Sequence, residues 1–201
     1  MVFRSLGLKR PKLSAEFTDR IPPGQYLTDR WPVLHYGDVP AFNPDTWRFR
    51  VFGAVEHPIE LTWEQFGELP VATVTADMHC VTRWSKLDMV WQGVAMKTII
   101  DLVRPTSDAK HVLFIGESDY TANVPISVAT DDDVLLATGA NGETLEPDHG
   151  YPLRAVVPKR YAWKSAKWLR AIEFMTEDRP GFWENYGYNN NADFWKEERF
   201  G

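Results

Sequence analysis

Cys80 is the sole cysteine among 201 residues and follows His79 directly in "TADMHCVTRWSKLDMVW". A lone thiol has three chemistries open to it. The commonest is none at all, because free cysteine usually packs as a small apolar side chain. A nucleophilic thiolate needs a base within hydrogen-bonding reach. If "VATVTADMHC" is a strand, His79 and Cys80 face opposite sides of it, which rules out the nearest candidate. His35 and His149 are distant in sequence, and no glycine-bracketed turn exposes the cysteine, so a hydrolase is a weak reading. Structural zinc wants four closely spaced protein ligands, which a single thiol does not supply. A soft metal accepts one protein thiolate when a cofactor brings the remaining ligands.

A second cluster of chemistry lies in "DHGYPLRAVVPKRYAWKSAKWLR", from Asp148 to Arg170. Between Arg154 and Arg170 it holds Arg154, Lys159, Arg160, Lys164, Lys167 and Arg170 and no acid, within a chain of formal charge −6. Such a local excess of cations is a trap for an anion. Two other readings compete with it. Lysines protect solvated edge strands. Tyr161, Trp163 and Trp168 interleave the charges as in a single-strand nucleic-acid groove, although the net acidity of the chain argues against nucleic acid as a partner.

These groups must be positioned by a β-rich chain with a few short helices. "TWRFRVFG" alternates Trp47, Phe49 and Val51 with Arg48 and Arg50, the period of a half-buried strand. "LTWEQFGELP" carries Thr62 and Gln65 in a capping-box pattern and predicts a short helix ended by Pro70. "VAMKTIIDLV" has Val94, Ile99, Ile100 and Val103 near helical spacing. Further strands are expected at "HVLFIG", "YTANVPI", "VLLAT", "PLRAVVP" and "KWLRAIEFM", with Asn141-Gly142 a hairpin signal. The aromatic-rich segment after Arg179 is expected to pack back on the body.

With 44% hydrophobic and 25% charged residues the chain suits one globular domain. Residues 1–25 read as an N-terminal extension and 26–201 as the domain. No apolar run is long enough for a membrane span. The start lacks the apolar core of a signal peptide, which gives the expectation of a cytoplasmic protein.

"HCVTRWSKLDMVWQGV", "DHGYPLRAVVP" and "YAWKSAKWLRAIEF", in this order, resemble the molybdopterin-binding domain of the sulfite oxidase superfamily, in its small stand-alone bacterial form. The resemblance runs from about Tyr26 onward. It implies an α+β, β-rich mixed fold and a cofactor in which molybdenum is held by one molybdopterin and one protein cysteine, at the position of Cys80. It further implies that His35, His149, Arg154, Ser165, Ala166 and Lys167 hold the pterin, and that Tyr120, Arg83 and Lys164 serve the substrate beside Cys80. The implied activity is oxygen-atom transfer with two-electron chemistry on a small sulfur or nitrogen oxide. Electrons would come from or go to a separate partner, such as a cytochrome, a flavoprotein or a membrane subunit. Val33-Leu34-His35 stands where sulfite oxidases proper have R-N-H, so one substrate-binding arginine is replaced by an apolar residue, which points to a less charged substrate. The competing class is a non-catalytic β-rich module that binds a phosphorylated ligand through its basic segment, with Cys80 as core packing.

Overall fold

The computed structural model describes Phe17 and residues 19–201. Of the expected N-terminal extension, residues 1–16 and Thr18 lie outside the described residues. The stretch nearest the domain is tied to it, since Ile21 and Gln25 are buried and Arg20 pairs with Asp77 and Asp88, each at 2.6 Å.

In chain order the strands are β1 (Tyr26–Leu27), β2 (Arg48–Gly53), β3 (Ile59–Thr62), β4 (Val71–His79), β5 (Trp84–Ala95) and β6 (His111–Gly116). They continue with β7 (Thr121–Pro125), β8 (Leu135–Ala140), β9 (Glu143–Thr144), β10 (Arg154–Val156) and β11 (Leu169–Met175). Among the described residues three short α-helices intervene: α1 (Trp63–Gly67), α2 (Met96–Val103) and α3 (Ile126–Ala129). The strands form two mixed sheets. One has the order β1-β5-β8-β10, with β4 also on β5 and β9 also on β8; the other has the order β3-β2-β11-β6-β7.

The main core lies between the sheets. Phe49 and Val51 of β2, Val112 and Phe114 of β6, and Ile172 and Phe174 of β11 meet Val94, Leu136 and Ala155 of the first sheet. A second cluster, with Met78, Cys80, Trp84, Met89, Trp91, Leu135, Ala137 and Val156, covers the other face of that sheet. Successive residues of β8 therefore bury on opposite faces, which is why "VLLAT" reads as an unbroken apolar run.

The expected strands form, and Thr62 and Gln65 make the reciprocal capping bonds at α1. Asn141 and Gly142 both take positive φ between β8 and β9, as a tight hairpin needs. One boundary moves: Val94 belongs to β5, and α2 begins only at Met96. The twelve-residue β5 escapes a periodicity reading because "WSKLDMVWQGVA" packs apolar groups on both faces, Trp91 in one cluster and Val94 in the other. The C-terminal segment folds back as expected, with Phe194 buried beside Tyr161 and Trp163.

Candidate active site

Cys80 sits at the tip of the β4–β5 hairpin. Arg83 N–H donates to Cys80 O at 2.9 Å, and Cys80 N–H donates to Trp84 O at 2.9 Å. Arg83 takes φ 78, the left-handed residue that closes a three-residue hairpin loop. Gln25 Nε2 donates to the same carbonyl at 3.0 Å, so the N-terminal stretch buttresses the turn. The thiol is buried, and burial pushes its pKa up. The Thr82 hydroxyl donates to Cys80 Sγ at 3.1 Å, which opposes that rise.

Cys80 opens onto a cavity of about 220 Å³. Its wall brings together residues from four distant stretches: His35, Cys80, Tyr120, and the group Arg154, Ser165 and Lys167. Aromatic side chains make about half of the remainder, with Trp31, Tyr36, Trp84, Trp163, Trp168, Trp183 and Tyr188 on the wall.

The segment carrying Arg154 folds by a sequence of enforced turns. Pro147–His149 forms one turn of 3₁₀ helix, and Gly150 ends it at φ 109, where a side chain is strained. A Cβ on Gly150 would come within 3.1 Å of Arg154 Cβ and 3.2 Å of Lys167 Cβ, so the two cations approach across this glycine. Ala155 N–H donates to Ala166 O at 2.8 Å, and Leu169 N–H to Leu153 O at 2.7 Å, locking the Ser165–Trp168 loop against β10.

Arg154 is 2% exposed, yet no carboxylate pairs with it among the described residues. Its guanidinium donates to His149 O at 2.8 Å and Ser165 O at 3.2 Å and lies over the rings of Trp31 and Trp91 at 5.6 and 5.3 Å. Burial lowers its pKa to about 10. Lys167 donates to Asp148 O at 2.5 Å, and burial followed by repulsion from Arg154 lowers its pKa to about 7. Two adjacent cations with depressed pKa values and only carbonyl partners mark a place built to receive an anion.

Several residues sit differently from the sequence expectation. His149 does not line the cavity; its ring stacks on Trp31 at 3.7 Å, and its carbonyl holds Arg154. That backbone contact is how residues five apart meet. Ala166 contributes its carbonyl to β10 and is absent from the wall. His35 is on the wall, with Nδ1–H donating to Gly37 O at 2.9 Å.

Arg83 is exposed and lies off the cavity wall, because its left-handed backbone serves the hairpin. Lys164 is fully buried and also off the wall: Nζ pairs with Glu184 at 2.5 Å and donates to Asn123 Oδ1 at 2.9 Å. Its charge is spent inside the protein, so the cavity lacks both cations expected at the substrate. The basic segment as a whole is likewise no single trap, since Lys159 pairs with Asp131 and Arg170 with Glu117. Tyr120 lines the cavity as expected and donates its hydroxyl to Trp163 O at 2.5 Å; burial raises its pKa.

A family model described as "Oxidoreductase molybdopterin binding domain" matches residues 36–183. The chain belongs to this family of molybdopterin-binding oxidoreductases. It is similar to the uncharacterized oxidoreductase YuiH of Bacillus subtilis, 45% identical over 182 residues that cover 90% of this chain and 92% of YuiH. It is also 30% identical to the protein-methionine-sulfoxide reductase catalytic subunit MsrP of Campylobacter jejuni, over 72% of this chain and 54% of that one. The solved sulfane dehydrogenase SoxCD of Paracoccus pantotrophus shares the fold, with a TM-score of 0.66 at 20% identity, covering 88% of this chain and 56% of that chain. The chain thus spans about half the length of these last two. A sulfite oxidase of Arabidopsis thaliana is likewise 30% identical, over 81% of this chain and 51% of that one, so the chain is an enzyme of the sulfite oxidase type and the non-catalytic module is set aside.

The cavity fits the family's cofactor on its own chemistry. It offers one soft thiol and two cations without acidic partners. Among the described residues no cluster of three or more His, Cys, Asp or Glu side chains could hold a metal, so a metal at Cys80 depends on ligands brought by a cofactor.

Proposed function

We propose that this enzyme reduces a small neutral sulfur or nitrogen oxide, with a sulfoxide as the favoured class, through molybdenum-molybdopterin ligated by Cys80. The observation that carries this reading is the division of the cavity wall. Arg154 lies against Ser165 and Lys167, while Tyr36, Trp183, Tyr188 and Trp163 are linked ring to ring into an aromatic flank of the wall. Sulfite is a small dianion that calls for charge-assisted donors. With Lys164 neutralised by Glu184 and Arg83 off the wall, the aromatic flank suits an uncharged S-oxide with apolar substituents. The 30% identity to a protein named a methionine-sulfoxide reductase supports the same class.

When bound, the cofactor supplies two-electron redox chemistry and exchange of an oxygen atom. The chain's residues do the rest. Cys80 would donate its thiolate to the metal from a hairpin tip held by two backbone hydrogen bonds and by the Gln25 side-chain amide. Arg154 and Lys167 would hold the pterin's phosphate, and His35 on the same wall would help to hold the pterin. Tyr120 donates its hydroxyl to Trp163 O, and because burial raises its pKa it would stay protonated and could serve as a neutral hydrogen-bond donor to the substrate oxygen, with the protons taken from solvent. The indole and phenol faces exclude water and orient the substituents on sulfur. The balance is breakage of the S–O bond with uptake of two electrons and two protons and release of water. The electrons come from a separate partner, in keeping with the word "subunit" in the MsrP name.

The test is a direct competition of substrate classes in the loaded enzyme. With a reduced viologen dye as donor, methyl aryl sulfoxides should be reduced with a kcat/KM at least about a hundredfold above that for sulfite oxidation with a ferricyanide acceptor, a difference of about 2.7 kcal/mol in transition-state binding. Sulfite as the better substrate would overturn the reading.

A further inference from the structure

Thr82 lines the cavity two residues beyond Cys80, and its hydroxyl donates to Cys80 Sγ at 3.1 Å. Among the described residues this is the only side-chain hydrogen bond to the sulfur, and the Thr82 hydroxyl has no other partner. The backbone N–H groups of Val81 and Thr82 and the charge of Lys167 also act on the sulfur, and the side chains of Met78, Val81 and Trp84 belong to the same apolar cluster. The contact is not left to a free rotor on a loose loop. Arg83 N–H to Cys80 O, Cys80 N–H to Trp84 O, and Gln25 Nε2 to Cys80 O fix the backbone on both sides of Thr82.

We propose that the Thr82 hydroxyl is a positioning and tuning group that sets the reduction potential of the bound molybdenum by hydrogen-bonding the Cys80 thiolate. This rests on the reading of Cys80 as the protein ligand. A donor to a thiolate withdraws electron density from sulfur and weakens its donation to the metal. The metal then accepts electrons more readily, so the contact raises the potential and favours an enzyme that is charged by its partner before it meets an oxidised substrate. Removing the hydroxyl should make the sulfur a stronger donor and lower the potential.

Thr82→Val keeps the shape and removes the donor; Thr82→Ser keeps the donor. The molybdenum potentials of both loaded variants would be measured by redox titration of the paramagnetic molybdenum signal, with molybdenum and pterin content measured on the same samples. For Thr82→Val the expected result is full cofactor content and a ratio of reduced to oxidised metal about tenfold lower per electron at fixed solution potential. That is a midpoint about 59 mV more negative. Thr82→Ser should stay within about a third of that displacement from wild type, roughly 20 mV. An unchanged midpoint in Thr82→Val, or the same displacement in both variants, would overturn the proposal. A Cys80→Ser control separates the two readings. If it alters the signal while Thr82→Val leaves the midpoint in place, ligation stands and the tuning role falls; if its signal and midpoint match wild type, ligation itself fails and the tuning role with it.

Discussion

Arg154→Met distinguishes a charge kept for a ligand from a charge kept for the fold. The folded protein holds the guanidinium at 2% exposure without a counter-charge, and the fall of its pKa from 12.5 to about 10 corresponds to roughly 3 kcal/mol against folding at neutral pH. Methionine fills similar volume and removes that burden, but it leaves the carbonyls of His149 and Ser165 without their donors. Each orphaned carbonyl costs about 1–3 kcal/mol. The relief offsets much of the roughly 2–6 kcal/mol lost at the two carbonyls, so cofactor-free Arg154→Met should fall between about 1 kcal/mol more stable and about 3 kcal/mol less stable than cofactor-free wild type. Cofactor binding should weaken in every case, because a lost charge-assisted bond to an anion weakens affinity by roughly 1.5–3 kcal/mol, or about ten- to a hundredfold. The assay is urea unfolding of both proteins made in a host that lacks molybdopterin, beside pterin fluorescence of both proteins made in a competent host. Unfolding destabilised by more than about 3 kcal/mol together with full pterin content would refute the reasoning and make Arg154 a structural cation.

Two further consequences follow from buried ionisable groups. Burial lowers the His79 pKa to about 4 in the folded protein, so between that value and the ordinary 6.5 the unfolded chain binds the extra proton; stability should fall by up to about 3 kcal/mol as pH drops through this window. Denaturation at pH 7 and pH 4.5 should show a smaller loss in His79→Gln than in wild type, and equal losses would remove His79 from the acid response. Glu184→Gln strands the fully buried Lys164 ammonium and should destabilise the protein by about 3–5 kcal/mol, with much of the loss recovered when Lys164→Met is added; a single variant within 1 kcal/mol of wild type would show that the ammonium has another outlet.

The sequence was most informative where one physical rule acts alone. Trp47, Phe49 and Val51 alternate against arginines because β2 has one buried face, and Thr62 with Gln65 specifies its cap through purely local bonds. The residues that meet at the cavity from His35, Cys80, Tyr120, Arg154, Ser165 and Lys167 were legible through motif resemblance. Their juxtaposition was not, because it depends on strand pairings between distant segments. Lys164 and Arg83 were assigned to the substrate by their positions in the family resemblance, and position alone does not reveal that Glu184 neutralises one or that a hairpin uses the other's backbone. Thr82, Trp31 and the aromatics of the C-terminal segment were missed for a related reason. A hydroxyl two residues past a ligand, or a tryptophan in a loop, carries no periodic signal, and only the folded hairpin shows Thr82 Oγ1 within 3.1 Å of the sulfur.

The central claim is that the one thiol of this chain is the protein's ligand to molybdenum, and sulfur counting at the metal tests it most directly. X-ray absorption at the molybdenum edge should find three sulfur neighbours in the wild-type enzyme, two from the pterin and one from Cys80, and two in Cys80→Ser with pterin content retained. The same sulfur count in both proteins would contradict the account and return Cys80 to the cluster of Met78, Trp84 and Trp91 as packing.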